Sequence, residues 1–113
     1  MEREAALALV KKHVKNKNLV KHMLAAEAIM RRLARQLGED EDLWGLAGLL
    51  HDVDYEETMD NPEQHAVIGA ELLRSLDVDA AIVQAVLAHA EKGPRTSLMD
   101  KALYATDPLT GLL

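Results

Sequence analysis

The chain has 113 residues and a net charge of −6, which suits one domain with one modest core. It holds no cysteine, so disulfides and thiolate metal sites are excluded, and with no phenylalanine, one tryptophan and two tyrosines a base-stacking aromatic platform is disfavoured. No apolar leader opens the chain and no apolar run reaches the ~20 residues that span a bilayer, which predicts a cytoplasmic protein without membrane contact.

Helical periodicity runs through nearly the whole chain. Arg3 to Val14 carry an apolar stripe at Leu7, Val10 and Val14. A turn at Asn16-Lys17-Asn18 follows, with Asn18 as the expected N-cap. In the second helix Leu19, Met23, Ala26, Met30, Leu33 and Leu37 recur at steps of four and three, and Gly38 ends it. Asp40 or Asp42 caps a third helix running to about His51.

An acidic loop, Val53 to Asn61, leads to Pro62, expected as the first residue of a fourth helix carrying His65, Ile68, Gly69, Leu72 and Leu76. The fifth carries Ile82, Ala85, Val86 and His89. After Gly93-Pro94 a sixth spans Ser97 to Thr106. Pro108 disfavours helical geometry at Asp107, so Asp107 is expected at a helix end or capping a new helix. The stop at Leu112-Leu113 predicts that a C-terminal portion is missing. With no alternating pattern, the fold class is all-α, one multi-helix bundle over residues 1–113 with an N-terminal helix and turn at 1–17.

The polar residues that interrupt the apolar faces carry the chemistry. His51-Asp52 closes an apolar run, and His22, His65, His89 and Asp107 each lie three or four residues from an apolar neighbour on a separate segment. Taken alone, each has an ordinary explanation as a hydrogen-bonded core histidine or a helix cap. Burying all six without a shared partner would cost several kcal/mol, at roughly 1–3 for each unsatisfied group. Coordination of a divalent ion removes that cost. The donors are nitrogen and oxygen only, which suits Mn, Fe, Co, Ni or Zn and disfavours Mg among so many imidazoles.

The ordered set His22, then His51-Asp52, then Asp107 resembles the signature of the HD superfamily, and Ala47-Gly48-Leu49-Leu50-His51-Asp52-Val53-Asp54-Tyr55 looks like the core of its motif. The resemblance covers residues ~18–113 and implies a metal-dependent phosphohydrolase acting on a small phosphorylated substrate such as a nucleotide. By that resemblance His22, His51, Asp52 and Asp107 hold one metal. His65 and His89 match the positions that hold a second, with Asp52 bridging and His51 and Asp52 central to catalysis. Ala88 and Ala90 flank His89 and no Gly-Tyr-Pro follows, which argues against the cyclic-dinucleotide phosphodiesterase subgroup.

Lys21, Lys92 and Arg95 are the nearest basic candidates to grip phosphate, although each also suits an ordinary solvated surface. Asp54 and Glu56 are candidates for proton transfer, although surface acidity is the more ordinary reading of both, and Tyr55 suits lining the pocket or simple packing. Residues 1–37 carry nine Lys or Arg against three Glu, while 38–113 carry four against sixteen. The total predicts no stable nucleic-acid binding, and self-association of the chain stays open. Two alternatives use the same donors: a di-iron oxygenase of the HD type, and a non-catalytic regulatory module whose metal is structural.

Overall fold

The computed structural model describes residues 1–110, with side chains through Asp107. Among them are six α-helices: α1 (Arg3–His13), α2 (Lys17–Leu37), α3 (Glu41–Leu50), α4 (Val67–Ser75), α5 (Ala80–His89) and α6 (Leu98–Thr110). A single 3-10 turn, Pro62–Gln64, precedes α4, and no strand occurs among the described residues. The fold is all-helical. The end at Leu112-Leu113, and the expectation attached to it, lies outside the described residues.

Polar caps set most helix starts. The Asn16 side chain accepts from the N–H groups of Asn18 and Leu19 at 2.8 and 3.3 Å. The cap of α2 is therefore Asn16 rather than the expected Asn18, and Lys17 is already helical. Gly38 ends α2 at φ 72, a left-handed conformation that glycine adopts without penalty. Asp40 caps α3 by accepting from the Leu43 N–H, and Asp79 caps α5 through Ala81. At the start of α6, Ser97 Oγ accepts from the Asp100 N–H while Asp100 Oδ2 accepts from the N–H groups of Thr96 and Ser97, a reciprocal capping box.

The longest interface joins α2 to α3. Met23, Ala26, Met30 and Ala34 of α2 are fully buried, and α3 is buried all round from Trp44 to Leu50. Gly48 sets how closely the two approach. A methyl group there would lie 2.7 Å from the Ala26 carbonyl oxygen and 2.9 Å from the Glu27 nitrogen, so only glycine fits. The two helices run antiparallel. A step forward from Gly48 to His51 is therefore a step back from Ala26 to His22, and this register brings the two histidines face to face.

Two predicted positions differ. His65 does not sit on the fourth helix: it follows the 3-10 turn, and α4 begins at Val67. Between them Ala66 is fully buried with φ 68, a left-handed backbone that costs a non-glycine residue about 1–3 kcal/mol. That turn aims His65 back at the end of α3. Asp107 is likewise not at a helix end, because α6 continues through Pro108. Proline removes one N–H whose partner would be the carbonyl of Tyr104, on the exposed side of the helix. The packing of α6 on α2 and α5, through Met99, Leu103 and Thr106, outweighs that loss.

Candidate metal centre

His51 stands just past the end of α3 with its ring fully buried, and its Nδ1–H donates to the Gly48 carbonyl oxygen at 2.6 Å. That bond leaves the lone pair of the neutral ring on Nε2. Nε2 lies 3.2 Å from His22 Nε2, 3.0 Å from Asp107 Oδ1 and 3.3 Å from Asp52 Oδ2. His22 Nε2 in turn lies 3.2 Å from both Asp107 Oδ1 and Asp52 Oδ2. Four donor atoms from α2, the end of α3 and α6 thus fall within 4.8 Å of one another.

A second group shares Asp52. Its other oxygen, Oδ1, lies 3.2 Å from His65 Nε2 and 3.2 Å from His89 Nε2. His89 donates its Nδ1–H to the Val86 carbonyl. His65 donates its Nδ1–H to Asp54 Oδ1 at 2.8 Å. Asp54 Oδ2 accepts from the Gly69 N–H at 2.7 Å, at the start of α4. Asp52, His65 and His89 form the second set of mutually close donors.

The chemistry of these donors suits divalent ions. Three rings have Nδ1 committed elsewhere, so their Nε2 lone pairs face carboxylate oxygens or one another. Neutral lone pairs repel at such distances, and only protons or metal ions make the arrangement favourable. Separations of 3.0–3.3 Å are also what neighbouring ligands of one ion show when each stands about 2.0–2.2 Å from it.

The metal-free electrostatics show protons in that role. The hydrogen bond to Asp107, helped by Asp52, pushes His22 up to about 9. Burial opposes charge on His51, but Asp52 and Asp107 outweigh it and hold the ring up at about 10. Burial likewise opposes charge on His65, and Asp52 with Asp54 pushes it up to about 9. Burial alone would raise Asp52 and Asp107; the histidines overcome it and hold both well below the usual carboxylate range.

The remaining sequence candidates lie outside the set of six donors. Lys21 is exposed and lines a groove with Lys11, Lys15 and Lys17 rather than meeting the six donors. Lys92 is exposed. Arg95 lies over the Tyr104 ring, 3.9 Å from its centroid, and near Glu91. Asp54 is buried with both oxygens engaged, so it orients His65 instead of standing as surface acidity. Glu56 accepts from the backbone N–H groups of Lys15 and Asn16, which tie the loop to the turn before α2 and lower its pKa. Tyr55 packs edge-on to the His65 ring at 5.7 Å between centroids.

The features that sequence reasoning missed are Gly48 and the anchoring role of Asp54. A glycine inside a buried helix three residues before a histidine was a readable signal for the first. The second depends on a tertiary contact that no spacing encodes.

Comparison with known proteins agrees with this architecture. The model of the HD domain matches residues 19–112, and the chain belongs to the HD family. It is 33 % identical over 96 residues to Ribonuclease Y of Oleidesulfovibrio alaskensis, covering 85 % of this chain and 18 % of that protein. It is 34 % identical over 93 residues to Ribonuclease Y of a Sulfurovum species, covering 82 % and 18 %. To Ribonuclease Y of Pelobacter propionicus it is 35 % identical over 94 residues, covering 83 % and 18 %. The chain thus spans less than a fifth of the length of these relatives. No solved structure matches. No helix among the described residues is long and apolar enough to cross a membrane.

Proposed function

We propose that this domain hydrolyses a phosphate ester at a centre of one or two divalent ions. His22, His51, Asp52 and Asp107 hold the first ion, and Asp52, His65 and His89 the second. The observation that carries this reading is the division of Asp52: each carboxylate oxygen faces a different cluster of imidazole nitrogens, at 3.2–3.3 Å. Bound ions would supply positive charge that acidifies water and polarises phosphoryl oxygens.

The chain's own residues supply the rest. Backbone carbonyls fix the tautomers of His51 and His89, and Asp54 fixes that of His65, so the donors are oriented before any ion arrives. Asp107 is about a third exposed, and a cleft of about 370 Å³ opens beside it and His89. An ester reaching the centre through this cleft favours a catalytic role over a closed structural one. The relatives are named ribonucleases, which makes a phosphodiester bond the first to assay, alongside phosphomonoesters.

The test is metal analysis of the purified protein, then a phosphatase and phosphodiesterase panel with Mn, Fe, Co, Ni, Zn and Mg. Hydrolysis that depends on an added ion and disappears in both His51→Ala and Asp52→Ala supports the reading. Turnover that survives in either variant contradicts it.

A further inference from the structure

The metal chemistry leaves unused a groove where α1 meets α2. Lys11, Val14, Lys15, Lys17, Val20 and Lys21 line its volume of about 380 Å³. Val14 and Val20 make an apolar floor, and the lysine stems extend it while their ammonium groups reach solvent. Lys11, Lys17 and Lys21 make no ion pair among the described residues, and the Lys15 ammonium donates to the Lys11 carbonyl oxygen at 3.2 Å. A cationic rim around an apolar floor suits an apolar side chain carried on an acidic segment.

The chain itself carries such a segment. In the loop after His51-Asp52, Met59 is 63 % exposed and stands among Glu56, Glu57, Asp60 and Glu63. Met59 does not line the groove of its own chain. Two ties fix the loop beside that groove. Glu56 accepts from the N–H groups of Lys15 and Asn16 at 2.9 and 2.7 Å, and Glu57 pairs with His13. Within the loop the Thr58 N–H and hydroxyl both donate to the Asp54 carbonyl oxygen. Plug and socket are thus held side by side and do not meet within one chain. A two-fold axis through the Glu56–Lys15 seam sets the plug of each copy at the socket of the other, an isologous contact that closes as a dimer. The net charge of −6 on each copy opposes random association, so pairing favours this locally complementary face.

We infer that the chain pairs with a second copy of itself through this face. Met59 of each copy enters the groove of the other, and Asp60 and Glu63 face its lysines. The inference does not depend on the proposed reaction.

Sedimentation equilibrium of the full chain across the micromolar range tests it. The expected result is a dimer whose dissociation constant rises with added salt. Met59→Ser weakens it, and the double variants Lys11→Glu/Lys17→Glu and Asp60→Lys/Glu63→Lys each weaken it by on the order of ten-fold or more. All five side chains are exposed, and circular dichroism checks that helix content is kept. Mixing the two double variants restores a mixed dimer, because both of its contacts are complementary again. An unaltered chain that stays monomeric overturns the inference without any variant and leaves the groove to another occupant. A dimer that keeps its affinity in Met59→Ser and in both double variants is built on another face and overturns it as well. So does a mixture of the folded double variants that stays monomeric.

Discussion

Asp54 Oδ1 accepts the Nδ1–H of His65 at 2.8 Å, while the other oxygen of Asp54 is held by the Gly69 N–H. One buried carboxylate thereby couples the loop after the His51-Asp52 doublet to the start of α4 and sets which nitrogen of His65 faces Asp52. Replacing Asp54 with Ala leaves the ring free to rotate and to change tautomer. The expected result is a 10–100-fold loss of affinity for the ion at Asp52, His65 and His89, with the ion at His22, His51, Asp52 and Asp107 retained. Metal titration that resolves the two steps checks this; an equal loss at both steps would count against it.

Gly69 predicts a milder version of the same effect. A methyl group there would lie 3.1 Å from Asp54 Oδ2, tighter than ordinary contact. Gly69→Ala should displace that carboxylate and weaken the second ion in the same titration, by less than Asp54→Ala does.

Gly48→Ala should act on both folding and ion binding. Its added methyl would meet Ala26 backbone atoms at 2.7–2.8 Å, where no flexible side chain can give way. Forcing α3 off α2 is expected to cost about 1–3 kcal/mol, read as a lower Tm. Because the same contact sets the register of His51 against His22, affinity for the first ion should fall as well. A variant with unchanged Tm and unchanged affinity contradicts the close-approach account.

The metal-free protein should lose stability as the solution becomes alkaline. His22, His51 and His65 have folded pKa values of about 9, 10 and 9 against an ordinary 6.5. Their contribution is complete below 6.5 and disappears as pH rises through 9–10. Asp52 and Asp107 are lowered instead, so theirs is complete above the ordinary 3.8 and is lost as pH falls through their depressed values. Stability of the metal-free form is then greatest between those limits. Bound ions replace the protons, so a loaded sample should hold its Tm where the metal-free sample declines. Thermal melts from pH 5 to 10, with EDTA or with excess Mn²⁺, make the comparison; a metal-free Tm that rises from pH 7 to 10 would refute it.

Much of this architecture can be read from residue order. The four-three stripe of α2, Gly38 and the cap at Asp40 follow local rules, and those rules hold where solvent lies on one side of a helix. His22, His51, Asp52, His65, His89 and Asp107 stand out because each is polar on an otherwise apolar face, and the structure brings all six donors together. Local rules fail where tertiary contact decides. The proline rule stops α6 before Pro108, yet packing carries the helix on. The proline at 62 suggests a helix through His65, yet the left-handed backbone at Ala66 breaks it there. Asp54 reads as surface acidity because nothing in its neighbourhood announces a histidine eleven residues away.

Equilibrium dialysis of the metal-stripped chain against Mn²⁺, beside Asp52→Ala, tests the shared-carboxylate centre most directly. The unaltered chain should take up ions in up to two steps, and Asp52→Ala should lose tight binding at both, because its carboxylate serves both groups of donors. Equal uptake by the two proteins, or none by the unaltered chain, would contradict the account.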